Sequence, residues 1–300
     1  MTKLVLLLTL IFLFPLMSCN FSQDKGNTNI QKKPIKEHSI NSASGPRLTL
    51  IWKTTSDLKI PESVLYTEEA IYVSNINGSP NEENGEGFIS ILNKEGKIMQ
   101  LKWLTGLNAP KGMGIYGDRM YVADIHNLVE IDIPSSKTIG IYEAEGSGFL
   151  NDIAIDPQGR VYISDMKKNV IYRFADGKLE KWLESELLLS PNGLFSDHLN
   201  LMIGTKNRIL KVNTESKSIE PYIENTGGID GLEAVGSGMY IFSDWLGHIH
   251  IADPETKKVL LLDSTTDKIN AADINYIPSK QLLLVPTFLD NRVMAYYLDL

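Results

Sequence analysis

A strand-and-turn pattern that returns about every forty residues is the strongest constraint on what this chain can fold into. Six copies begin PESVLYTEEAIYVSN at Pro61, PKGMGIYGDRMYVAD at Pro110, LNDIAIDPQGRVYISD at Leu150, SPNGLFSDHLNLMIGT at Ser190, GIDGLEAVGSGMYIFSD at Gly228 and AADINYIPSKQLLLVPT at Ala271. Each copy joins a turn built from Pro, Gly, Asp or Asn to an apolar strand, then to a second strand of the Tyr-Val-(Ser/Ala)-Asp kind. The starts lie 49, 40, 40, 38 and 43 residues apart, with room for four short strands in each unit. That arrangement predicts an all-β, six-bladed β-propeller, in which each repeat is one sheet of a ring. Within the third copy, Pro157-Gln158-Gly159 supplies a turn and Asp176-Gly177 a hairpin before the last strand.

The two ends of the repeat region complete one another. The sixth copy stops at RVMAYYLDL with no fourth strand, while RLTLIWKTT, residues 47–55, precedes the first copy and has the missing character. This segment is expected to pair with the C-terminal blade and close the ring, since closure removes an exposed sheet edge. The first copy is long because NGSPNEENGEG, residues 77–87, inserts a polar loop.

Residues 1–18 stand outside this pattern. Lys3 precedes the apolar run Leu4 to Leu16, which is short for a membrane span and is broken by Pro15, so it reads as an export signal. Its end, Leu16-Met17-Ser18-Cys19, resembles the bacterial lipobox, which implies acylation of Cys19 as the first residue of the mature chain. Cys19 is the single cysteine, which excludes an intramolecular disulfide and a cysteine-based metal cluster. Residues 19–46 are polar and without apolar periodicity, and read as the lipidated Cys and a flexible tether to a propeller spanning 47–300. The expected location is the bacterial cell envelope, lipid-anchored to a membrane, periplasmic or surface-facing. With 29 Lys and Arg against 37 Asp and Glu, and a net charge of −8, the chain lacks the basic surface that nucleic acid requires. The expected partner is a small-molecule substrate, and no protein partner is indicated.

Reading the six copies in register brings out the chemistry. The second positions are Glu62, Lys111, Asp152, Asn192, Asp230 and Asp273, with Asn151 just ahead of Asp152. If each copy opens on the innermost strand, these side chains form a polar ring at one height in the channel. Glu62, Asp230, Asn151 and Asn192 would offer hard oxygen donors with two negative charges. Such a set suits Ca²⁺ best, with Mg²⁺ or Mn²⁺ as alternatives. Zinc is less suited, because the five histidines show no zinc-like spacing. Taken singly, Asn192-Gly193 and Asp230-Gly231 are turn dipeptides, and Asn151-Asp152 can open a turn. Their coincidence at one register on separate blades favours the ligand reading. Lys111, Asp152 and Asp273 are candidates for substrate contact, with Lys111 offering either a cation for an anionic substrate or a salt bridge to a ring carboxylate. His126, Trp245 and His248 are candidates for the mouth. No Gly-x-Ser-x-Gly sequence occurs, so a serine nucleophile has little support.

Over residues 47–300 the chain resembles the six-bladed propellers of the gluconolactonase and senescence-marker-protein (regucalcin) family. The resemblance rests on Glu62 opening the first blade, on Asn151-Asp152 before Asp156-Pro157-Gln158-Gly159, and on Asn192-Gly193 and Asp230-Gly231. It implies a central divalent metal held by Glu62, Asn192 and Asp230, with Asn151 at or beside it, and Asp230 serving also as base or nucleophile. Phe149 stands where such proteins often carry an Arg that holds a sugar, which implies a substrate other than a sugar lactone. The expected function is metal-dependent hydrolysis of a lactone, ester or phosphoester-like bond. The alternative is a non-catalytic propeller whose metal is structural and whose faces bind a ligand or protein.

Overall fold

The structure is a computed structural model that describes residues 45–255 and 258–300. The export signal, Cys19 and nearly all of the tether lie outside the described residues. What is described is almost wholly β: six four-stranded antiparallel sheets, whose strands pair with their sequence neighbours except where the first strand joins the last. The innermost strands are Pro61–Tyr66, Pro110–Tyr116, Leu150–Ile155, Leu194–Asp197, Leu232–Gly236 and Asn275–Ile277. Each contacts the innermost strand of the next blade, so the six surround one channel.

Closure follows the sequence expectation. Arg47–Lys53 pairs antiparallel with Val293–Asp299, giving the sixth sheet its fourth strand from the other end of the chain. Thr54 continues the seam by exchanging hydrogen bonds with Val293, through its N–H and its Oγ1. Trp52 on this strand lies over the turn at Gly96, where a Cβ would meet the indole ring at 2.3 Å, and Gly96 also adopts φ +79°. Only glycine suits that position.

The blades hold together because inward-facing Val, Ile, Leu and aromatic residues of neighbouring sheets interdigitate. Between the second and third blades, Tyr121 and Leu128 pack with Ile153, Ile163 and Phe174. Between the third and fourth, fully buried Tyr162 meets Trp182 edge-on at 4.9 Å beside Leu201 and Leu210. Asp176 and Gly177 both have positive φ, as a two-residue hairpin turn between Ala175 and Lys178 requires.

The innermost strands are not regular. Register breaks between Pro61 and Val64, between Pro110 and Met113, and between Leu150 and Ile153. Each break is a bulge, and bulges turn side chains out of the regular alternation. The residues released are Glu62-Ser63, Lys111-Gly112 and Asn151-Asp152. The unpaired backbone N–H groups are satisfied by hydroxyls of the adjacent strand: Ser63 N–H donates to Ser74 Oγ and Asp152 N–H to Ser164 Oγ. Gly231 N–H donates likewise to Ser243 Oγ in the fifth blade.

Candidate functional site

The repeated Asp that ends the second strand of a blade positions the residues that follow the preceding loop. Asp124 accepts hydrogen bonds from the N–H groups of Asn108 and Ala109, two to three residues ahead of Lys111. Asp165 does the same for Gly148 and Phe149, ahead of Asn151. Asn75 accepts from the Lys59 N–H, ahead of Glu62. The motif that reveals the repeat in the sequence is therefore also the brace of the central residues.

At one mouth of the channel a cavity of about 510 Å³ is lined by Glu62, Lys111, Asn151, Asn192, Asp230 and Asp244 together with an apolar wall of Ile76, Pro80, Phe149, Met166, Ile229, Trp245, Leu246 and Phe288. Asp152 and Asp273 are not among them. They line a separate cavity of about 280 Å³ with Glu233 and Asn275. The single-height ring expected from the sequence is thus two levels. Hydrogen bonding gives the reason: Ala272 N–H bonds Pro286 O as Asp230 N–H bonds Ser243 O and Asn192 N–H bonds Gly204 O. Ala272 therefore occupies the sixth-blade place assigned to Asp273, and Asp273, like Asp152 after Asn151, lies one residue beyond.

The first level is short of partners. Glu62 is 5% exposed, yet its carboxylate accepts no hydrogen bond among the described residues, and Oε2 is fully buried. Asn192 donates through Nδ2 to Asp230 Oδ1 at 2.9 Å, which leaves Asn192 Oδ1 buried and unpartnered. Asn151 directs its Nδ2 to Met166 Sδ at 3.6 Å. Burial, then the charges of Asp230 and Asp273, push the Glu62 carboxyl well above the usual carboxylate range, against the opposing pull of Lys111. Burial pushes Asp230 up to about 7, opposed by the Asn192 hydrogen bond and reinforced by Asp244. Buried polar groups are nearly always partnered, and a buried carboxylate without a partner is costly. Orphaned oxygens on Glu62 and Asn192 beside the Asp230 carboxylate fit a hard divalent cation, whose ligands are oxygens of this kind. Among the described residues no group of three or more His, Cys, Asp or Glu side chains is arranged to hold a metal, so such an ion would depend on the amide oxygens.

The salt bridge considered for Lys111 does not form: no carboxylate lies within ion-pair distance of it among the described residues. Its Nζ donates to Ala109 O at 2.8 Å and Pro80 O at 3.2 Å, and lies 4.4 Å from the centroid of Phe149. Burial lowers its pKa to about 8, with Glu62 and Asp124 pulling upward and Lys167 downward. Trp245 lines the mouth and packs edge-on against Phe288 at 5.7 Å. His126 bonds Ser147 Oγ, and His248 bonds Asp244 Oδ2 at 2.8 Å, so neither lines the cavity. Asp244 does line it and escaped the sequence reading, because its position in the repeat marks it as a brace.

The second level is well supplied. Asp152 accepts from its neighbour Ile153 N–H and, across to the fourth blade, from Leu194 N–H, both at 2.6 Å. Asp273 accepts from Ser63 Oγ at 2.6 Å and donates its N–H to Glu62 O, joining the sixth blade to the first. Glu233 accepts from Asn275 Nδ2 at 2.6 Å.

No protein-family model and no curated protein sequence matches the chain. Solved structures do. The structure of a streptogramin B lyase superposes with a TM-score of 0.62 at 14% identity, covering 85% of this chain and 98% of that one. A protein assigned as a gluconolactonase superposes with a TM-score of 0.60 at 15% identity, covering 85% and 93%. At such identities the likeness is one of fold, and the six blades are those of this chain's own sheets.

Proposed function

We propose that this chain is a metal-dependent hydrolase acting on an ester, lactone or phosphoester-like bond at the larger mouth of the channel. One observation carries the reading: Glu62 and Asn192 present buried, unpartnered oxygens beside Asp230 at a cavity whose remaining wall is largely apolar. Glu62, Asn192 and Asp230, with Asn151 beside them, would hold the cation, Ca²⁺ being the best match to a set of oxygen donors with two charges. When bound, the ion supplies positive charge that stabilises the negative charge developing on a carbonyl or phosphoryl oxygen.

The chain's own groups do the rest. Asn192 Nδ2 fixes Asp230 through Oδ1, leaving Oδ2 to take a proton from water. Without a cation, burial pushes the Asp230 carboxyl up to about 7; a bound cation would pull it back down and hold the carboxylate in its basic form at neutral pH. The walls of Phe149, Met166, Ile229, Trp245 and Phe288 bind an apolar body and exclude bulk water. The fold relatives supply context: one is named as a lyase and one is assigned as a gluconolactonase.

The test is a panel of lactones, aryl esters and phosphotriesters assayed with Ca²⁺, Mg²⁺, Mn²⁺ or chelator, on the wild type and on Asp230→Asn. Cation-dependent turnover lost in the variant supports the reading. Absence of turnover across the panel turns it toward the non-catalytic binding propeller. We further propose that Cys19 anchors the domain at the cell envelope. Cys19→Ser should then release it from the membrane fraction, and unchanged fractionation would refute the anchor.

A further inference from the structure

Phe149, which lines the cavity, has two ammonium groups beside it that the proposed hydrolysis does not use: Lys111, which lines the cavity too, and the exposed Lys167. Lys111 Nζ lies 4.4 Å and Lys167 Nζ 4.8 Å from the centroid of the Phe149 ring. They come from different blades, and Gly148 allows the approach: a Cβ there would meet Lys167 Cβ at 2.8 Å. Neither lysine is within ion-pair distance of a carboxylate among the described residues, although the chain is acidic overall. Their partners are instead neutral oxygens, Ala109 O for Lys111 and, for both lysines, oxygens of the inserted first-blade loop. Lys111 donates to Pro80 O and Lys167 to Asn81 Oδ1 at 3.0 Å. Lys111 is 1% exposed, and its third N–H has no acceptor among the described residues.

A buried ammonium is ordinarily matched by a carboxylate, because desolvating it otherwise costs several kcal/mol. Glu62 and Asp124 act on Lys111 only from beyond ion-pair distance, so its remaining N–H still lacks an anionic acceptor. We propose that this pocket takes a ligand bearing an oxyanion, a carboxylate in the simplest case, which binds between Lys111 and Lys167 beside Phe149 while its apolar body lies along Met166, Trp245 and Phe288. Calling that ligand the substrate rests on the hydrolase reading; the anion clamp itself does not. The polarity of the pocket fixes the orientation. Lys111 and Lys167 project from the second and third blades and Asp230 from the fifth, so an anion held by the lysines lies away from Asp230, with Glu62 of the first blade on the Lys111 side, and the opposite end of the ligand is directed toward Asp230. Residues 77–87 then act as a specificity element, their neutral oxygens holding the ammoniums until a charged acceptor replaces them.

The experiment is calorimetric titration of the full chain, at low salt and with Ca²⁺ present, using 4-phenylbutyrate and its neutral counterpart 4-phenylbutyramide. The acid should bind at least tenfold more tightly than the amide. Lys111→Met should bring the two within about twofold, and Lys111→Arg should keep the preference. Lys167→Met, at an exposed position that tolerates change, should reduce the preference about threefold and serves if Lys111→Met fails to fold. Failure of the acid to bind, equal affinity for acid and amide, or a full preference surviving in Lys167→Met or in folded Lys111→Met overturns the proposal. Binding is read without turnover, so the outcomes separate. An inactive protein that prefers the acid retains the clamp and loses the hydrolase reading, whereas an active protein indifferent to the acid does the reverse.

Discussion

Two clusters of buried acid face each other along the channel, and they differ in what the chain supplies to them. At the smaller chamber Asp152, Asp273 and Glu233 each accept at least one short hydrogen bond from the protein, several of them from a neighbouring blade. At the larger mouth Glu62 accepts none, and Asn192 keeps an orphaned oxygen. Residue type and burial are nearly the same at both ends, so neither separates structural from functional carboxylates. The hydrogen-bond account does. Asp152 and Asp273 complete seams between blades; Asp230 does so only through Asn192 Nδ2, and Glu62 accepts no hydrogen bond among the described residues.

The largest expected effect breaks the mouth. Asp230→Asn should reduce hydrolysis by two orders of magnitude or more, roughly the contribution of a general base. The same variant should abolish the response of the unfolding temperature to chelator, while its chelator-treated form is no less stable than the wild type's. A variant that still binds cation as the wild type does removes the contrast between the two ends.

Occupation of the mouth should come next. A ligand that binds only the native state at one hundred times its dissociation constant adds about 2.7 kcal/mol of stability. Thermal unfolding with Ca²⁺ and with chelator measures this, and Glu62→Gln should shrink it. The seam should respond to a different change. Asp152→Ala strands the Leu194 N–H in the interior and should cost about 1–3 kcal/mol by denaturant unfolding, with cation affinity unaltered.

The pH response sharpens the comparison further. Burial pushes both Asp230 and Glu233 up to about 7, so the native state holds protons that the unfolded chain releases near the ordinary carboxylate range. Stability in chelator should therefore fall as pH rises from about 4 to about 7, and be regained on acidification through that window. Asp230→Asn should reduce the slope, and saturating cation should oppose the contribution of the mouth. Glu233→Gln should have the smallest effect at neutral pH, since Gln keeps an acceptor for Asn275, but it should remove part of the slope that persists with cation bound.

The repeat was legible from residue order because each blade is a local unit whose strands pair with their sequence neighbours. Six starts and the outer strands after Asp176-Gly177 and similar turns follow from that locality; the closing strand at 47–55, observed as Arg47–Lys53, followed from the missing fourth strand of the last copy. Glu62, Asn151, Asn192 and Asp230 could be aligned by counting, and they line one cavity. Counting failed at Asp152, because a bulge changes which residue reaches a given level, and at Asp273, because Ala272 holds the place aligned with Asn192 and Asp230. It also could not reveal that Lys111 answers to carbonyls rather than a carboxylate, or that Lys167 joins it at Phe149. The contacts of Lys111 with Phe149 and Pro80 cross from blade to blade and from an inserted loop to a distant strand. The sequence by itself determined the blades and the residues offered to the channel, since both are set by local periodicity; the tertiary structure alone decided which of those residues are satisfied, since a buried group's partner is whatever the folded ring brings beside it.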